Sequence, residues 1–257
     1  MTSSDWGRVR PADIPWKQFD DPHGRPTTPV RVLKGGDPAV LEVRFPPGYV
    51  AGLHWHPYDT LYIVTRGSMQ IGDEGVYRPG DIRWVRAGHV YGPEAAGAEG
   101  VDFFLVSLGG EIELNWADLV DVPERLRERL ETSGEPWGRV NLQEVPWQDF
   151  EDPAGRPTQP VQVLLDDDPY VLRTRFSPDY VAGDHWHDFD TLYFITSGSM
   201  RFGDEGWYEP GEVRWVRGGH SYGPEEPGED GVEFILVSCG GPVNLHWSDL
   251  EPPPSKP

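Results

Sequence analysis

The 257-residue chain has a single cysteine, Cys239, and only three methionines. One cysteine excludes an internal disulfide, so nothing in the sequence asks for an oxidising compartment, and a cytoplasmic location is expected. Cys239 itself reads as a small buried strand residue. Basic side chains are scarce: 22 Lys and Arg stand against 43 Asp and Glu, a formal charge of −21. A phosphate backbone or an anionic lipid surface needs a basic face, so neither a nucleic-acid nor a membrane partner is expected. Apolar runs stop at about five or six residues, where a membrane helix needs roughly 20. The segment MTSSDWGRVR shows no apolar core of an export signal. Phosphate-binding glycine loops and Gly-x-Ser-x-Gly elbows are missing too.

What the chain does have is turn formers and rings: 31 Gly and 27 Pro, with 11 Trp, 10 Tyr and 10 Phe. Aromatic burial offsets chain entropy and argues against disorder. A repeat fills the sequence. Trp6-Gly7-Arg8-Val9 returns as Trp137-Gly138-Arg139-Val140, and the same offset carries His54 to His185, Gly80 to Gly211 and Trp116 to Trp247. Residues 6–119 align on 137–250 without a gap at roughly 60% identity, which marks a duplicated domain and not a solenoid repeat. The expected division is 1–119, a linker 120–136, 137–250 and a tail 251–257. Two like domains of this kind fit a pseudo-two-fold arrangement, and further association into a homo-oligomer stays open. Within the linker, PERLRERLETSG reads as a short charged helix that opens at Pro123 and closes near Gly134. Each half otherwise reads as short strands punctuated by glycine turns, an all-β sandwich or barrel of the jelly-roll kind. The repeated loop of Asp20, Asp21, Pro22, Gly24, Arg25 and Pro26 reads as a rigid turn.

Two pairs stand out for chemistry: His54-Trp55-His56 and His185-Trp186-His187. Residues two apart on a strand share a face, so each pair places two imidazoles side by side. They could share a metal ion or simply hydrogen-bond in a core. If the following strand is regular, Tyr58, Thr60 and Tyr62, with Phe189, Thr191 and Tyr193, share their face. These would line an aromatic pocket, with Trp84 and Trp215 closing it. Tyr91 and Tyr222, in repeated Tyr-Gly-Pro-Glu turns, are the candidate proton donors; the Glu94 and Glu225 that end those turns read as solvent-facing or loop-capping residues.

The His-x-His pair preceded by Gly-x5 and followed by Gly67 resembles the first cupin motif, and Gly80 to Tyr91 resembles the second. The chain thus looks like a bicupin, and that resemblance implies two tandem double-stranded β-helix (jelly-roll) barrels, each holding one divalent metal. The fit is incomplete. The family's glutamate position falls on Thr60 and Thr191, and its third histidine falls on Tyr91 and Tyr222. His89 and His220, two residues earlier, are expected to complete a three-histidine site with His54, His56, His185 and His187; the alternative is that they only hydrogen-bond in their loop. Such a site suits Fe(II) first, with Zn, Ni, Mn or Cu as alternatives. Without a carboxylate it would favour a substrate bound as an anion. The resemblance points to a non-haem Fe(II) dioxygenase acting on a small aromatic or dicarbonyl compound. A non-oxidative isomerase, cyclase or lyase and a non-catalytic small-molecule-binding cupin are the other readings, since one fold hosts all three.

Overall fold

A computed structural model describes residues 4–19, 21, 23–152 and 154–254. Asp20, Pro22 and Pro153 of the repeated loop, and residues 255–257 of the tail, lie outside them. Strands account for about half of the described residues, and the one α-helix among them is Glu124–Thr132. No described helix is long and apolar enough to cross a membrane.

The chain forms two compact units, Ala12–Glu144 and Val145–Pro257 with Met1–Pro11. The first is built on a nine-stranded sheet and a two-stranded one. At the centre of the large sheet, Asp59–Ile71 and Ala39–Phe45 pair antiparallel with the two sides of the long strand Glu94–Leu108. Alternate side chains of these strands, among them Leu41, Val43, Tyr62, Val64, Phe103 and Leu105, turn inward and form the core. Burying each stabilises the fold by about 1.5–3 kcal/mol. The small sheet pairs His54–Trp55 with Asn115–Trp116. The second unit repeats the plan, with a seven-stranded sheet centred on Glu225–Cys239 and a small sheet pairing His185–Trp186 with His246–Trp247.

The units differ from the sequence repeats in one strand each. Trp137–Asn141 opens the second repeat, yet it pairs with Asp81–Val85 and completes the sheet of the first unit. Trp6–Val9 likewise completes the second unit by pairing with Val213–Val216. The glycine of each Trp-Gly-Arg-Val segment makes this fit: a Cβ on Gly138 would stand 2.5 Å from the Trp84 indole nitrogen, and one on Gly7 would stand 2.4 Å from that of Trp215. The neighbouring arginines fasten the strands, Arg139 donating two hydrogen bonds to buried Asp81 and Arg8 two to Glu212.

In the linker, the helix buries Leu126 against Trp55 and Ala87 of the first unit. Gly88, at φ +80°, gives it room, since a Cβ there would lie 2.8 Å from that of Leu126.

Candidate metal and substrate site

Three segments meet around His54. Its backbone exchanges hydrogen bonds with Tyr91, donating to the Tyr91 carbonyl and accepting from the Tyr91 N–H, both at 3.1 Å. Glu94, three residues on, begins the long strand beside Ala51 and Ile71. His54, His56, Tyr91 and Glu94 are all buried, Glu94 at 2% exposure.

The two imidazoles are held in one tautomer. His54 Nδ1 donates to the Gly52 carbonyl at 2.8 Å, and His56 Nδ1 donates to the Glu113 carbonyl at 2.5 Å. A carbonyl can only accept, so each proton sits on Nδ1 and each Nε2 keeps its lone pair. His56 Nε2 is buried with no hydrogen-bond partner. His54 Nε2 lies 3.8 Å from Glu94 Oε2, and Glu94 Oε1 is also unpartnered. Burial keeps the rings neutral by lowering their pKa values, to about 4 for His54 and about 3 for His56. Burial acts on Glu94 in the opposite sense and raises its carboxyl to about 7, although Arg83 and a hydrogen bond with Tyr62 pull it down.

Beside Glu94 the hydroxyls of Tyr62 and Tyr91 are 2.5 Å apart. Burial pushes both phenols up, so they stay protonated. Arg83 supports them from beneath: fully buried, it donates through Nε and Nη2 to Glu74 at 2.8 and 2.7 Å, and its guanidinium lies 4.1 Å from the Tyr91 ring centroid. Its Nη1 has no hydrogen-bond partner, and the ring face is what it meets.

A cavity of about 300 Å³ opens onto this cluster. Its walls are mostly apolar, including Val30, Leu41, Val43, Phe103 and Leu105, and His54, His56, Tyr62 and Glu94 form its polar end.

The second unit repeats the arrangement. His185 and His187 donate from Nδ1 to the carbonyls of Gly183 and Asn244, each at 2.7 Å. His185 Nε2 is 3.8 Å from Glu225 Oε1, His187 Nε2 is unpartnered, and the Tyr193 and Tyr222 hydroxyls are hydrogen-bonded. The cavity here is about 80 Å³.

Among the described residues, no group of three or more His, Cys, Asp and Glu encloses a metal position. The donors nevertheless fit a divalent ion in kind. Each unit offers two neutral imidazoles anchored through Nδ1 as metal-binding histidines are, one of them with an unpartnered Nε2, and one buried carboxyl with an orphaned oxygen.

The remaining expected residues lie elsewhere. His89 follows a turn, half-buried, with its ring stacked 6.3 Å from that of Tyr91, and it does not line the cavity. His220 is likewise off the pair, with Nδ1 3.8 Å from Asp5. The chain is not a strand at these positions, so two-residue parity does not carry from Tyr91 back to His89. A bend at Pro57-Tyr58, and its counterpart Asp188-Phe189, breaks parity in the same way after the histidines. Tyr58 therefore packs on Gly109 and Gly110, and Phe189 on Gly240 and Gly241. Thr60 and Thr191 are buried outside the cavities, and Trp84 and Trp215 pack over Gly138 and Gly7. Of the expected pocket residues, Tyr62 and Tyr193 line the cavities. Sequence reasoning missed Glu94 and Glu225. The available signal was their identity in both repeats while the next two residues differ, Ala95-Ala96 against Glu226-Pro227.

Residues 6–109 match the family model described as the ChrR cupin-like domain. No curated protein sequence matches the chain. Among solved structures, a provisionally assigned dioxygenase from Nostoc punctiforme PCC 73102 superposes with a TM-score of 0.75 at 16% identity, covering 91% of this chain and 83% of that one. A point mutant of Bacillus subtilis oxalate decarboxylase gives 0.64 at 15% identity, over 93% and 78%. The Lactobacillus farciminis oxalate decarboxylase formate complex gives 0.66 at 13%, over 95% and 89%. At these identities the likeness establishes the fold: all-β, of the cupin jelly-roll type.

Proposed function

We propose that the chain is a metal-dependent bicupin enzyme, a non-haem Fe(II) dioxygenase acting on a small aromatic or dicarbonyl compound. The observation that carries this reading is the pair of buried imidazoles at the end of an apolar cavity, His56 with an unpartnered Nε2 and His54 with its Nε2 3.8 Å from the buried Glu94 carboxyl. His54, His56 and Glu94 would hold the ion in the first unit, and His185, His187 and Glu225 in the second. A bound ion of this kind supplies Lewis acidity and, for iron, access to O₂. The chain's own residues do the rest. The Gly52 and Glu113 carbonyls fix the rings, and the apolar walls exclude water and strengthen electrostatic contacts at the polar end. The Tyr62–Tyr91 pair holds a proton beside any substrate oxygen placed there.

A second reading, non-oxidative isomerase or lyase chemistry, is favoured by the hydrogen-bonded Tyr62–Tyr91 hydroxyls, which could move a proton beside the ion without O₂. The test is elemental analysis of protein purified without chelators, with O₂ uptake on catechol as substrate. Iron that is lost in a His54→Ala/His56→Ala/His185→Ala/His187→Ala variant, together with uptake, supports the dioxygenase. Zinc without uptake supports the second reading. Metal content unchanged by the four substitutions contradicts both.

A further inference from the structure

The two units carry the same histidine pair and fasten one member of it differently. His187 donates from Nδ1 to the Asn244 carbonyl at 2.7 Å. Asn244 is itself tied down, because its side-chain Nδ2 donates to Asp188 Oδ2 at 2.6 Å. A carboxylate can only accept, which fixes the way the Asn244 amide faces. Asp188 directly follows His187 in the chain. Two hydrogen bonds and one peptide link therefore close a loop of three residues that holds the imidazole.

His246 meets the other carboxylate oxygen. Its Nε2 lies 3.0 Å from Asp188 Oδ1, and its Nδ1 donates to Glu251 Oε2 at 2.9 Å. Its ring stacks on Trp186, the residue between the two histidines of the site, with centroids 4.0 Å apart and planes 11° from parallel. The Glu251 backbone carbonyl accepts from the Trp186 indole at 3.0 Å and closes the arrangement. Asn244, His246 and Glu251 also line a pocket of about 570 Å³, which shares Phe150, Val243, Leu245 and Trp247 with the inner cavity of about 80 Å³. The contacts thus run from the wall of that wider pocket to His187.

The first unit cannot build the same network. At the corresponding places it has Glu113, Pro57, Asn115 and Val120. Neither Pro57 nor Val120 has a side chain that accepts a hydrogen bond, and Glu113 offers an anion where Asn244 offers a donor. His56 still donates to the Glu113 carbonyl, but the Pro57 side chain cannot hold Glu113 as Asp188 holds Asn244. A ring fixed beforehand loses less freedom when it takes up an ion, and removing an orienting partner typically costs about 10–100-fold in metal affinity.

We infer that Asp188 and His246 are positioning residues that hold the imidazole of His187 ready for the ion, in the second unit alone. The inference rests on the metal site proposed above and adds to it two residues that reach His187 only through Asn244. Optical titration of the full chain with Co(II), whose visible bands report the geometry at the ion, tests it. A His54→Ala/His56→Ala background leaves the second site alone, and His185→Ala/His187→Ala leaves the first. In the former, Asp188→Ala should weaken Co(II) by at least about tenfold and shift the bands. His246→Phe, which keeps a ring on Trp186 and removes both nitrogens, should weaken it too. Asp188→Asn, which can still accept from Asn244, should recover most of the affinity. In the latter background, Asn115→Ala should leave Co(II) at the first site unchanged. Melting curves identify any variant that has lost its fold; should Asp188→Ala do so, His246→Phe decides. Unchanged affinity and bands in the folded variants would overturn the inference and leave the metal site standing. An equal loss in Asn115→Ala would overturn its restriction to the second unit. No Co(II) bound by the parent chain would remove the metal site and this inference with it.

Discussion

His54, His56 and Glu94 are buried titratable groups whose partners do not offset their desolvation, and this sets a pH signature. The folded imidazoles have pKa values of about 4 and about 3 against an ordinary 6.5, so the unfolded chain takes up protons the folded one refuses. Their contribution to stability is therefore lost as pH falls below about 6.5. Glu94 has the opposite sign: its folded value of about 7 against 4.5 means ionisation costs stability as pH rises toward 7. His185, His187 and Glu225 repeat both shifts. Four imidazoles outweigh two carboxyls between about pH 5 and 6.5. The metal-free protein is expected to gain melting temperature over that interval, with a shallower rise in His56→Gln/His187→Gln; a flat or falling profile in the parent would contradict this. Arg83 gives a second test at this scale. Arg83→Met leaves Glu74 buried with only the Tyr77 hydroxyl donating to it, and urea denaturation should show a loss of about 3–5 kcal/mol. The paired Arg83→Met/Glu74→Leu variant should recover most of it. The histidines were legible in sequence because the spacing of two projects them to one face in a short strand. Glu94 was not, because a glutamate ending a Gly-Pro turn looks solvated until the strand it begins is seen to run beside Ala51 and Ile71.

Among the elements, the alternation that forms the strands was readable, and so was the linker helix, whose Leu126 meets Trp55. Two features were not. The bends at residues 57–58 and 188–189 separate the histidine strand from the strand that follows, so a side-chain pattern extrapolated across them places Tyr58 and Thr60 in the wrong surroundings. The partner of the Trp-Gly-Arg-Val strand was also hidden: both repeats carry the same four residues, and identical copies give no sign of which sheet each one joins. The bare glycine is what the indole packs on. Gly138→Ala should therefore cost about 1–3 kcal/mol in urea unfolding, as overpacking does. No change in the midpoint would show that Trp84 moves aside freely.

For the whole molecule, the duplication was evident from the offset of the repeats, but the boundaries of the folded units were not. The residues that form a complete first sheet are Ala12–Glu144, including Trp137–Asn141, and not 1–119. A fragment spanning 12–144 is expected to melt cooperatively by circular dichroism. A fragment of 1–119 would leave Asp81–Val85 as an uncovered edge and should aggregate. Equal behaviour of the two would mean that the exchanged strand contributes little. The account as a whole stands on the buried imidazole lone pairs being metal donors. The most direct measurement is an anomalous difference map at the iron edge from crystals of protein purified without chelators. The account predicts a peak within about 2.0–2.3 Å of the Nε2 atoms of both His54 and His56. A map without a peak there, with ordered water bridging the two rings to Glu94, would contradict it.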